Sequence, residues 1–108
     1  YVRKSRVYII LFGGKPIGTV SYEMKSKDHA QIEGLTVNPE HQRKGIATKA
    51  VGFVLGELKG VKRIDLTVHP ENAPAIRLYE KFGFMVESRK ENYFGDGEPR
   101  LVLARVNQ

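Results

Sequence analysis

The chain has 108 residues, 41% hydrophobic and 28% charged. That is enough for the core of one domain, too short for two, and too apolar for a disordered tail. With no cysteine it excludes disulfides, thiolate metal sites and a cysteine nucleophile, and its net charge of +6 predicts an anionic partner: nucleic acid, a membrane surface or a phosphorylated small molecule.

No apolar run reaches the length of a membrane span and no signal-peptide pattern opens the sequence, so the expected compartment is the cytoplasm. The positive excess sits in the first half, in Arg3, Lys4 and Arg6, in Lys25 and Lys27, and from Arg43-Lys44 to Lys49. The chain opens on Tyr rather than Met, as a processed, trimmed or designed fragment would.

Residues 6–12 (RVYIILF) are β-branched and aromatic and predict a buried strand. Gly13-Gly14-Lys15-Pro16 predicts a turn, and the alternation over 17–24 a hairpin partner. A third strand is expected over 30–37, where Gly34 signals a bulge or a close backbone approach. Asn38-Pro39 ends it. Residues 45–58 predict a helix, with Ile46, Ala50, Val51, Val54, Leu55 and Leu58 in one apolar stripe.

A fourth strand is expected over 63–68. Asn72 caps a second helix that tolerates Pro74 in its first turn and ends at Phe82-Gly83. Residues 84–92 and 100–106 predict a final hairpin across Gly95-Asp96-Gly97. The order is β-β-β-α-β-α-β-β, an α/β fold of the mixed-sheet, α+β type. A strand–helix–strand unit over 30–68 gives a central parallel pair, with antiparallel hairpins at both ends.

The chemistry concentrates between Leu35 and Thr48, where a strand enters a basic, glycine-containing turn that opens into a helix. Such a turn presents successive backbone N–H groups at the positive end of the helix and suits a phosphate or pyrophosphate. An ordinary strand–helix turn with a solvated basic rim is the plain alternative. Neither a P-loop nor a dinucleotide fingerprint is present.

Gln42-Arg43-Lys44-Gly45-Ile46-Ala47 resembles Q/R-x-x-G-x-G/A, the pyrophosphate loop of the GNAT superfamily of acetyl-CoA-dependent N-acetyltransferases. Asn72 to Phe84 (NAPAIRLYEKFGF) resembles the second block of that family, N-x-x-A-x-x-L-Y-x-x-x-G-F. The two blocks stand in the family's order on the expected elements, and the match runs over residues 6–106. It implies a single GNAT-like domain over 1–108, without the first strand and two helices usual in the family. That shortness admits a trimmed core, a short member with an open site, or a second chain, as in a homodimer, completing the acceptor wall.

The resemblance also implies roles. Leu35, Thr36 and Val37 would lie along the pantetheine arm of acetyl-CoA. Gln42, Arg43, Lys44, Gly45, Ile46, Ala47 and Thr48 would hold its pyrophosphate. Asn72 and Ala75 would flank the pantetheine region, Arg77 or Lys81 would reach the adenosine phosphates, and Tyr79 would protonate the departing thiolate. The plain alternative for Tyr79 is a core tyrosine with a satisfied hydroxyl. The reaction implied is direct attack of a primary amine on the thioester, with no metal.

The amine must lose a proton, and Glu33 is the candidate base; alternation places it on a face with Gln31 and Leu35. A glutamate in a polar strand-face pair is the equal alternative. His69 is a second candidate, more simply read as structural, and His41 and His29 are expected at the surface. Some ribosomal-protein-directed members carry a glutamate where this chain has Thr67. A CoA-binding module without turnover is the alternative function. A basic nucleic-acid-binding domain is a third, and it lacks any reader motif.

Overall fold

The structure is a computed structural model that describes residues 4–42 and 44–107. Arg3 and Arg43, two of the basic residues singled out above, lie outside the described residues. The elements are β1 (Lys4–Phe12), β2 (Lys15–Ser26), β3 (His29–Val37), a single 3-10 turn at Pro39–His41, α1 (Ile46–Glu57), β4 (Arg63–Val68), α2 (Ala73–Lys81), β5 (Met85–Lys90) and β6 (Arg100–Val106). This is the expected order. The first connection is tighter than expected: Gly13 and Gly14 alone form the turn, both at positive φ (59° and 81°), and Lys15 and Pro16 already pair in β2. Two consecutive positive φ values are what a right-twisted hairpin needs from a two-residue loop.

The six strands form one sheet in the order β1-β2-β3-β4-β6-β5. Only β3 and β4 are parallel, and they pair only at their beginnings, His29 with Arg63 through Gln31 with Asp65. Beyond that point the two strands diverge. The core lies between the sheet and the two helices. Val51 and Val54 of α1, Ile64 of β4, Leu103 of β6 and Phe84 are almost wholly enclosed, together with Val20, Tyr22, Ala30 and Ile32 of β2 and β3. Helix α1 is fixed by polar contacts as well. Tyr8 and Tyr22 both donate hydroxyl hydrogen bonds to the Glu57 carboxylate, at 2.6 and 2.9 Å.

The bulge announced by Gly34 is centred one residue earlier. Ile32 pairs with Tyr22 and Gly34 with the adjacent Ser21, so Glu33 is the extra residue. An inserted residue resets the alternation of a strand. Leu35 therefore pairs with the buried Val20 on the helix side, while Thr36 pairs with Thr19 on the other side, their hydroxyls 3.0 Å apart. Glu33 and Leu35 thus do not share the face that simple alternation gave them.

Candidate functional site

The divergence of β3 from β4 opens a cleft of about 170 Å³ lined by Ile32, Glu33, Gly34 and Leu35 on one side and Leu66, Thr67 and Val68 on the other, with Asn72, Ala75 and Tyr79 across its end. Leu35 and Ala75 also line a larger groove of about 490 Å³ that runs past Val37, His41, Gln42, Gly45, Ala47 and Thr48 on one wall and Pro74, Arg77, Leu78 and Lys81 on the other. Cleft and groove therefore adjoin at Leu35 and Ala75, between the two helix-bearing halves of the sheet.

The floor of the groove is the turn into α1. Gly45 caps that helix in the left-handed region, at φ 79°, so the chain reverses just before Ile46 and aims the first-turn N–H groups outward. Gln42 fixes the turn to the strand before it: its side-chain amide donates to the Val37 carbonyl at 2.9 Å. Asn72 caps α2 as expected, its Oδ1 accepting from the Ala75 N–H at 3.3 Å. Arg77 and Lys81, both exposed, place two cations on the wall opposite the turn.

Tyr79 lines the end of the cleft with its side chain only 5% exposed, its ring against Phe84 with centroids 5.4 Å apart. Its hydroxyl makes no hydrogen bond to a protein group among the described residues. Burial pushes its pKa up to about 12, so at neutral pH it stays protonated and has a proton to donate. Glu33 stands at the mouth of the cleft, exposed, with Lys25 Nζ 3.8 Å from its Oε1.

His69 is committed elsewhere. Its Nδ1 accepts from the Glu71 N–H at 3.1 Å, so the proton lies on Nε2, which is 2.9 Å from Glu98 Oε1. With both nitrogens engaged it does not line the cleft. His29 meets the Asp65 carboxylate at 2.9 Å at the far end of β3.

The side chains of three of the other residues expected at the site point away from it, while the expectation for Lys44 and Ile46 rests on their backbone N–H groups. The Thr36 hydroxyl faces Thr19. Ile46 and Lys44 line a different groove between β1 and α1, and Lys44 Nζ lies 5.7 Å from the centre of the Phe12 ring. Conversely, His41 was expected at the surface and is half-buried, its ring 5.1 Å from that of Phe12 and its Nδ1 enclosed without a hydrogen-bond partner. It lines the groove, as do Pro74 and Leu78. The α2 pair carried a sequence signal, since both lie inside the second block.

Among the described residues there is no group of three or more His, Asp or Glu side chains placed to hold a metal ion, and no helix is long and apolar enough to cross a membrane.

A family model described as the Acetyltransferase (GNAT) family matches residues 2–84. The chain is 30% identical over 81 residues to the catalytic subunit of the N-terminal acetyltransferase B complex of Arabidopsis thaliana, covering 72% of this chain and 47% of that protein. It is 35% identical over 82 residues to the ribosomal protein bS18-alanine N-acetyltransferase of Escherichia coli, covering 71% and 55%. The chain thus spans about half the length of these curated relatives. Among solved structures, it superposes with a TM-score of 0.84 on the Escherichia coli ribosomal-protein-S18-alanine N-acetyltransferase, at 26% identity over 94% of this chain and 68% of that one. A GNAT family acetyltransferase from Elizabethkingia anophelis with acetyl-CoA bound shares the fold, with a TM-score of 0.87 at 17% identity over 95% and 76% of the two chains.

Proposed function

The chain belongs to the acetyltransferase (GNAT) family, and we propose that it moves an acetyl group from acetyl-CoA to a primary amine by direct attack of the amine on the thioester. The observation that carries this reading is the pair of adjoining hollows that lead from a helix N-terminus to Tyr79, a buried residue whose hydroxyl has no hydrogen-bond partner among the described residues. A nucleotide with a long, thin arm fits along them. Its phosphates meet the turn of Gln42 to Thr48, with Arg77 and Lys81 opposite, and its arm runs between Leu35 and Ala75 toward Tyr79.

Several of the chain's own groups have tasks in this reaction. The N–H groups of the turn hold the pyrophosphate. The free edge of β3 beyond Gln31, where β4 no longer pairs, leaves backbone groups of Leu35 and Val37 for the arm. The Gln42 amide already occupies the Val37 carbonyl, so the Val37 N–H is the group left to offer. Tyr79, neutral at physiological pH, donates its proton to the departing thiolate. Glu33, at the open mouth, takes a proton from the incoming ammonium or from a water that relays it. In the curated relatives above the acceptor named is a protein's N-terminal amine or a ribosomal protein's alanine; by analogy an α-amine is the first acceptor to test.

The test combines calorimetry with CoA and a thiol-release assay with acetyl-CoA and a panel of short peptides with free N-termini. CoA binding together with amine-dependent thiol release that falls in Glu33→Gln and Tyr79→Phe supports the proposal. CoA binding without release for any amine makes the chain a binding module, and no CoA binding removes both readings.

A further inference from the structure

The ladder between β2 and β3 slips at two places. Met24 pairs with Ala30 and Ser26 with the adjacent His29, so Lys25 is the extra residue on β2, as Glu33 is on β3. An extra residue leaves the ladder and has its side chain re-aimed. Here the two re-aimed side chains converge. Lys25 Nζ stands 3.8 Å from Glu33 Oε1 and 3.3 Å from Glu23 Oε1. The lysine side chain is 27% exposed, so its amine is held against the sheet rather than out in solvent.

Glu33 is one of the residues that line the inner cleft, together with Tyr79. The amine of Lys25 is thereby drawn to the cleft mouth. The lysines nearest the rest of the site stand elsewhere. Lys81 lines the outer groove, and Lys44 and Lys49 line the hollow between β1 and α1. Among the described residues, Lys25 is the lysine whose amine meets a carboxylate of the inner cleft.

We propose that Lys25 is an acceptor within the chain itself: its Nζ takes an acetyl group from acetyl-CoA bound to the same molecule. The inference rests on the acetyl transfer proposed above. Glu33 and Tyr79 bound one cleft of about 170 Å³, so a thioester lying between them is within reach of an amine that already meets Glu33. Lys25 gives a proton to Glu33, and its nitrogen attacks the thioester carbonyl. The N–C bond forms, the C–S bond breaks, and the thiolate takes the Tyr79 proton. The second proton leaving nitrogen passes to solvent, which restores the phenol. The products are Nε-acetyl-Lys25, free CoA and one released proton. An amine tethered in this way meets the thioester at an effective concentration far above that of a lysine in solution. The reaction stops at one acetyl group per chain, because the amide formed has neither a charge nor a nucleophilic nitrogen.

The test incubates the full chain with acetyl-CoA and no added amine, and maps acetylated peptides by mass spectrometry at timed intervals. Lys25 is expected to gain its acetyl group at least about tenfold faster than any other lysine, at a rate unchanged by diluting the protein. Glu33→Gln and Tyr79→Phe are each expected to slow that rate about tenfold or more, with the slow background labelling of other lysines unaltered. Lys25→Arg keeps the cation and is expected to end the thiol release seen without added amine. Even labelling across the lysines, or a Lys25 rate that rises in proportion to protein concentration, overturns the proposal. Thiol release with a peptide amine while Lys25 stays unmodified also overturns it, and leaves the acetyl transfer itself intact. Absence of transfer to peptide and lysine alike counts against both.

Discussion

Gln42 donates its side-chain amide to the main-chain carbonyl of Val37 across five residues, at 2.9 Å. The bond ties the last residue of β3 to the turn that opens α1, so the strand edge and the helix N-terminus form one rigid unit. Replacing Gln42 by Leu removes a single neutral hydrogen bond, about 1 kcal/mol. CoA affinity measured by calorimetry is expected to fall about fivefold, with the circular dichroism spectrum unchanged. Unaltered affinity would show that the tether does not position the turn.

Tyr79→Phe removes a hydroxyl and leaves the buried ring. The expected loss is in kcat, by about 10²–10⁴-fold, the usual contribution of a positioned general acid. CoA affinity is expected to stay near that of the parent chain. A proportionate loss of CoA affinity would instead make Tyr79 a binding residue.

The same tyrosine sets an alkaline limit to stability. Its folded-state pKa is raised to about 12 by burial, and that of Tyr22 to about 12 by burial and by the hydrogen bond to Glu57. Between pH 10 and 12 the unfolded chain loses phenolic protons that the folded chain keeps. Stability is therefore intact below pH 10 and falls as the pH rises through this window, by about 2–3 kcal/mol for Tyr79. Urea unfolding across that range is expected to show a shallower decline in Tyr79→Phe, with the Tyr22 share remaining.

Gly45→Ala places a Cβ where no atom lies within 4 Å, so no clash arises and the whole cost is the backbone at φ 79°. That costs about 1 kcal/mol. The relief available is to unwind the start of α1, which turns the anion-facing N–H groups aside. Both the melting temperature and CoA affinity are expected to drop. A variant that lost stability alone would show that the helix start holds its direction without glycine.

Glu57 sits in the last turn of α1, where a negative charge meets the negative end of the helix. The Tyr8 hydroxyl first, then that of Tyr22, holds its pKa below the usual carboxylate range, against the opposing effect of desolvation. A lowered pKa contributes stability above the ordinary carboxylate value that is lost as the pH falls through the folded one. Glu57→Gln is expected to melt at lower temperature than the parent at pH 7, the gap closing below about pH 4. Parallel melting curves at all pH values would leave the two tyrosines without a role in holding the helix.

Much of this architecture was legible in the residues because it is governed locally. Hydrophobic period distinguished strands from helices, Asn72 announced its cap, and two spaced blocks announced the groove. The directions of individual side chains were not legible. Lys44 and Ile46 turn toward Phe12 because that ring, brought in from β1, gives the turn something to pack against. His41 is half-buried for the same reason. The exchange of faces after Ile32 depends on which residue β2 leaves unpaired, a matter of register between strands rather than of any residue in β3. The partial pairing of β3 with β4, which makes the cleft, is likewise a property of two segments more than thirty residues apart.

The extra residue at Glu33 makes β3 a strand with two phases. Its first half counts inward from Ala30 and Ile32, its second from Leu35 and Val37. Deleting Glu33 would merge the phases into one and leave Ile32, Leu35 and Val37 on the helix side, since Ile32 and Leu35 would then stand two residues apart. What it would remove is the bulge that places a carboxylate beside the cleft.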